Sequence, residues 1–203
     1  MARLRVPVHL RWSDMDAYAH VNNVEMFRLL EEARIEAFWA RPAASGAAAA
    51  DGGTPAAGGA ADGGAPAAGR GTPAASGGAG DSVAGGAVHA EGWPTAVLEA
   101  GPGAQVATLV ARQEIEYLRP LSYRRTPVVV EMWLGNLGGA SLEVCYEVRD
   151  GSPDEPGSEV YARASTTLVL VDAETGRPRR IAARERAAWE PYVEEPVTFR
   201  RRH

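Results

Sequence analysis

"RWSDMDAYAHVNNVEMFRLLEEARIEAF", residues 11–38, is the stretch on which the reading of this chain turns. Its first half crowds Asp14, Asp16, His20, Asn22 and Asn23 together. Its second half repeats apolar residues at three- and four-residue steps: Met26, Phe27, Leu30, Ala33, Ala37 and Phe38. That period predicts an amphipathic helix over 23–40, with Arg28, Glu31, Glu32, Arg34 and Glu36 mostly off the apolar side. Pro42 ends it. A helix start needs one capping side chain, so the surplus of polar groups asks for another explanation. The first free N–H groups of a helix point outward and carry the positive end of its dipole, which suits a developing oxyanion. A carboxylate can attack a carbonyl carbon or take a proton from water. Asp16 precedes Asn23 closely enough for a turn to bring both onto one carbonyl.

Composition narrows the setting. The chain has 203 residues and a net charge of −5, which fits one domain. No basic stripe alternates with aromatics, so no nucleic-acid partner is expected. Every basic side chain outside the histidines is Arg. The single cysteine, Cys145, excludes an internal disulfide and suits a reducing cytoplasm. The opening "MARLRVPVHLRW" has no apolar signal core, and no apolar run nears the roughly 18 residues of a membrane span. The expectation is a soluble cytoplasmic protein with no membrane partner.

Residues 41–90 break the pattern. About two thirds are Ala or Gly, and "GTPAAGGA" (53–60), "GAPAAG" (64–69) and "GTPAASGGA" (71–79) look like slipped copies of one unit. So few large apolar side chains cannot offset ordering entropy, and the copies are too short to fold singly. The division expected is one domain from 1–41 and 93–183, a disordered Ala/Gly-rich insertion over 42–92, and a C-terminal tail over 184–203. Arg200–Arg202 reads as solvated.

Elsewhere the period is two. "LRVPVHLRW" (4–12) reads as a short strand, then "AQVATLVARQEIEYL" (104–118), "TPVVVEMWLGNL" (126–137), "ASLEVCYEVRD" (140–150) and "SEVYARASTTLVLVD" (158–172) as longer ones. Gly138-Gly139 reads as a turn able to take positive φ. A short helical piece is expected near "AARERAAWEPY". The fold class is α+β: a strand, one long helix, then an antiparallel meander of about four strands. One helix cannot cover both faces of such a sheet, so the sheet is expected to curve round it, leaving an outer face suited to dimerisation.

"SDMDAYAHVNN", followed by a helix, "IEYLRPL" (115–121) and "LVLVDAETGRPRRI" (168–181), resembles the hotdog-fold acyl-CoA thioesterases of the 4-hydroxybenzoyl-CoA thioesterase-like group. The similarity covers 3–40 and about 93–180. It implies a curved antiparallel sheet wrapped round one long central helix, a homodimer or homotetramer, and an active site at the subunit interface. It also implies hydrolysis of an acyl-CoA thioester without metal or organic cofactor. Asp16 matches the family's catalytic aspartate, as general base or nucleophile, and Asn23 the position whose N–H binds the thioester oxygen.

Each neighbour has a second reading. His20 is either a proton-handling group or a loop-orienting ring. Asn22 and Asn23 are also helix caps, and Asp14 a loop-closing acceptor. An Asp14/Asp16/His20 metal site lacks a further ligand at clear spacing. Ala19 stands where the family commonly has Gly. Tyr18 occupies the place of a functional Asn in plant acyl-carrier-protein thioesterases, and Pro120 lies near their strand carboxylate, so their apparatus does not carry over whole. In another branch a helix glutamate serves; Glu25, Glu31, Glu32 and Glu36 are available but read equally as solvent-face charges. For the CoA phosphates Arg119, Arg124 and Arg125 are candidates, with Ser141 and the loop residues Tyr18 and Asn22 as further substrate contacts. Two rivals stand beside hydrolysis: an enoyl-thioester hydratase or dehydratase, whose G-D-x-N-P-x-H pattern is absent, and a non-catalytic acyl-thioester-binding protein.

Overall fold

The computed structural model describes residues 2–40, 92–99, 103–154 and 156–200. The expected disordered insertion, except its last residue, lies outside the described residues.

Short runs rich in β-branched, aromatic and other apolar residues set five strands: β1 (Leu4–Val8), β2 (Val106–Tyr117), β3 (Val128–Leu137), β4 (Ser141–Arg149) and β5 (Val160–Asp172). Among the described residues two α-helices accompany them, α1 (Asn23–Phe38) and α2 (Ala183–Trp189). The strands form one antiparallel sheet in the order β1-β3-β4-β5-β2. The expected four-strand meander is therefore only partly present. β3, β4 and β5 run as neighbours, but β2 crosses to the far edge, where its 12 residues pair along the 13 of β5.

A sheet wrapped round one long central helix does not form. The sheet stays open: β1 and β2 are its edges and do not pair with each other. The 16-residue α1 is one of two α-helices, and its backbone approaches β1 more than any other strand. It buries Met26, Leu29, Leu30, Ala33, Ala37 and Phe38, while Val24 and Ile35 stay 73% and 50% exposed. A helix enclosed by a sheet would not leave such apolar surface in water.

Sheet register sorts the side chains by face. Leu4, Met132, Tyr146, Ala164 and Ile115 form one row across all five strands, on the face that packs the core. The adjacent row, Arg5, Glu131, Glu147, Arg163 and Glu116, lies on the opposite face. Here the carboxylates of Glu131 and Glu147 are buried but paired: Arg5 Nε lies 3.4 Å from Glu131, and Arg149 and Arg163 lie 2.7 and 3.0 Å from Glu147. Buried charges persist only when matched in this way.

That outer face was expected to be bare, and it is not. The segment after α2 crosses it: Glu194 N–H donates to Leu134 O (2.9 Å), Trp133 Nε1 to Glu195 O (2.8 Å), and Arg3 pairs with the Glu194 carboxylate. Val197 N–H reaches Cys145 Sγ at 3.5 Å, and burial pushes the Cys145 thiol up to about 11. Trp189 of α2 is fully buried against Phe38 and donates to Thr95 O at 3.0 Å. The Gly138-Gly139 turn forms without positive φ at either glycine.

Two outcomes follow from this packing. A Cβ on Gly135 would stand 2.7 Å from Cys145 Sγ and 3.0 Å from Pro196 Cα. Gly135→Ala should therefore cost about 1–3 kcal/mol in chemical denaturation; an unchanged midpoint would contradict the close crossing. Ala40 N–H donates to Leu98 O (2.8 Å) and Leu98 N–H to Phe38 O (3.1 Å), so the chain leaves and re-enters side by side. Deleting 43–90 with a short bridge should keep a single cooperative thermal transition, and its loss would show that the segment helps hold the fold.

Candidate active site

The loop between β1 and α1 is built by its own polar groups. Arg11 N–H and Nε donate to the two oxygens of buried Asp14, at 2.6 and 3.0 Å, so Asp14 is spent on closing the turn. Asn22 N–H returns to Asp14 O (2.8 Å), and Met15 pairs with Val21. Inside this frame Asp16 N–H donates to His20 O at 2.7 Å. Asp16 Oδ1 accepts from Tyr18 N–H (2.8 Å) and His20 N–H (3.1 Å). Its Oδ2 has no hydrogen-bond partner among the described residues. One oxygen anchors the loop and the other is unengaged among the described residues.

Ala19 holds φ +61°, alone among the described non-glycine residues. This left-handed conformation is strained for a residue with a Cβ and is what a glycine would take without cost. The loop is then fastened to the connection between β2 and β3: Val21 N–H donates to Leu121 O (2.8 Å) and His20 bridges Ser122.

At the start of α1 the Asn22 side chain accepts from Val24 N–H at 2.9 Å, the normal N-cap bond, and Asn22 O accepts from Met26 N–H. Asn23 N–H, one residue earlier than the capped amide, has no partner among the described residues. Tyr117 OH donates to Asn23 O at 3.2 Å and pins the end of β2 against the helix start. Burial raises the Tyr117 hydroxyl above its ordinary pKa, which keeps it a donor.

These groups meet at a cleft of about 340 Å³ lined by Asp16, His20 and Asn23 with Val21, Met26 and the strand end Tyr117–Leu121. A second cleft of about 570 Å³ adjoins it through Leu118 and Arg119 and is closed by Ser158, Glu159 and Arg200. Arg119 pairs with Glu159, and Arg200 lies 3.6 Å from Glu116.

Of the residues singled out in the sequence, Asp16, His20, Asn23 and Arg119 come together. The others do not. Tyr18 is 81% exposed and outside both clefts. Arg124 is tied to Asp150 O (2.9 Å) at the β4–β5 turn, Arg125 is exposed, and Ser141 opens β4 after the β3–β4 turn. Asn22 is occupied as a cap. The His20 ring makes no hydrogen bond among the described residues; its backbone, not its ring, orients the loop. No group of three or more His, Cys, Asp or Glu among the described residues is placed to hold a metal. Tyr117, an aromatic at a strand end, carries no spacing signal of its own, and Arg200, expected to be solvated in a terminal run, lines the second cleft.

Solved structures share this architecture at low identity. YbaW of Escherichia coli is 20% identical with a TM-score of 0.51, covering 95% of this chain and 98% of its own. PA5185 of Pseudomonas aeruginosa is 17% identical with a TM-score of 0.56, over 96% and 94%. A thioesterase-superfamily protein from Jannaschia sp. is 14% identical with a TM-score of 0.57, over 95% and 94%. No curated protein matches the chain by sequence. No helix among the described residues is long and apolar enough to cross a membrane. The model of the thioesterase-like superfamily matches residues 10–195, almost the full length, and the chain belongs to that superfamily.

Proposed function

We propose that this protein hydrolyses an acyl-CoA thioester to CoA and a free carboxylic acid, with Asp16 and the Asn23 N–H as its chemical groups. What carries the reading is one arrangement: a carboxylate with a free Oδ2 and a helix-start amide with a free N–H line the same cleft. Asp16 Oδ2 takes the proton of an attacking water, or attacks the carbonyl carbon itself. The carbonyl oxygen becomes an oxyanion facing the Asn23 N–H, and collapse of the tetrahedral intermediate expels the CoA thiolate, which takes up the proton held on Asp16 in the first route; in the second, water then cleaves the acyl–Asp16 anhydride to release the acid. A single oxyanion donor is worth about 2.7–4 kcal/mol of barrier in enzymes. Arg119 and Arg200, on the adjoining cleft, supply charge for the CoA phosphates. The domain assigned to this activity is 1–41 with 93–183.

Asp16→Asn separates chemistry from structure, since an amide oxygen still accepts the two loop N–H bonds. Its kcat should fall about 10²-fold or more in a thiol-release assay while its melting temperature holds. Asp16→Ala should lose both activity and loop stability. Wild-type turnover in either variant would remove Asp16 from the mechanism.

The assembly proposed is a homodimer, or a homotetramer built from it, through the β2 edge. Among the described residues β2 is a long edge strand with an unpaired side, Leu109, Val110 and Tyr117 are 54%, 48% and 40% exposed, and Val24 of α1 lines a groove with Val110. Edges this long and apolar are normally covered. Leu109→Glu should shift the sedimentation coefficient to that of a monomer; wild-type protein already sedimenting as a monomer at micromolar concentration would refute the assembly.

A further inference from the structure

Arg34 is a charged residue in the wrong place for a solvent-face charge. It is 3% exposed, on α1 between the helix and the sheet. Its Nη1 donates to the buried Tyr146 hydroxyl at 3.0 Å, and its Nε is buried without a hydrogen-bond partner. Its one carboxylate neighbour among the described residues is Glu31, 3.5 Å away and itself 56% exposed. A guanidinium does not shed its proton when buried, so an incompletely matched one is costly.

Arg34 lines a groove of about 240 Å³ between α1 and β2. One stretch of the wall is apolar: Val24, Phe27 and Val110. Val110 reaches it because the β2 register shifts between Val110 and Arg112, which puts Val110 on the same face as Gln113 and Tyr117. The polar lining is Arg28, Glu31, Arg34 and Gln113, with two cations against one anion. Asn23 and Tyr117 line the candidate active site, while Val24 and Gln113, on the same two elements, line the groove. Arg34 lies about 16 Å along α1 from Asn23. The two clefts share no lining residue; an acyl chain whose carbonyl sits at the Asn23 N–H would pass Val24 and Phe27 to enter the groove and meet the buried positive charge.

We propose that this groove takes the distal part of the acyl chain and that Arg34 selects chains ending in a carboxylate, making the substrate class the CoA monothioester of a dicarboxylic acid. The inference rests on the thioesterase reading above. The exposed Glu31 yields its place on Nη2 to the incoming carboxylate.

CoA thioethers, which contain no cleavable carbonyl, test this without relying on catalysis. Calorimetry of the full-length protein should show each S-(ω-carboxyalkyl)-CoA binding about ten- to a hundredfold more tightly than the S-alkyl-CoA of equal chain length. Arg34→Met, and Gln113→Glu as a near-isosteric change that sets a competing carboxylate in the groove, should each abolish the preference. Equal affinities in the wild type, or a preference surviving in the folded variants, would overturn the proposal. So would a change of oligomeric state in Arg34→Met with the preference intact, which would give Arg34 to a subunit contact. Preferential binding with no thiol released from the matching thioesters would sink the thioesterase reading and leave the groove's selectivity standing. Thiol release without preference would sink the selectivity alone.

Discussion

One side chain holds the candidate site together: the Asp16 carboxylate, gripped through Oδ1 by the amides of Tyr18 and His20. Two bonds to one oxygen fix the loop and leave the other oxygen unengaged. Everything else in the region serves that placement. Asp14 closes the preceding turn, Asn22 takes the next helix amide, and Leu121 anchors the loop to the connection between β2 and β3. Because the cap bond goes to Val24, the earlier amide of Asn23 is left unspent. The strained Ala19 is consistent with a loop whose geometry is imposed by these bonds and not by local preference.

Crowding polar residues ahead of a buried helix divides the work among them. Asp14 and Asn22 satisfy backbone donors, as buried polar groups must. His20 contributes its main chain, and its ring lines the cleft without a bond of its own among the described residues. Asp16 and the Asn23 amide are what remains. A carboxylate spent wholly on structure would show both oxygens bonded, as Asp14 does.

The strands and helices were legible because their apolar periods are unmistakable, and the loop motif located the cleft. Sheet order was not. Pairing β2 with β5 across the molecule depends on matching two long strands, and nothing local in β2 announces its partner. Apolar alternation shows that a strand has an inside, yet gives no sign that the C-terminal segment will cover its outside. Hence neither the curved, helix-wrapped sheet nor the bare outer face that the pattern suggests is formed. Arg34 was unreadable for a related reason: its helical position sits at the margin of the apolar stripe, where one residue's rotation separates solvent from core. Arg124, Arg125 and Ser141 were chosen by nearness in sequence to turns, and turns at different corners of a sheet do not share a site.

The central claim is spatial, and a crystal structure with a non-hydrolysable acyl-CoA analogue retaining a carbonyl measures it directly. The account predicts the carbonyl oxygen about 2.7–3.1 Å from Asn23 N, with Asp16 Oδ2 beside the carbonyl carbon or one water away from it. An analogue bound with its carbonyl outside this cleft, or with Asp16 turned from it, would contradict the account.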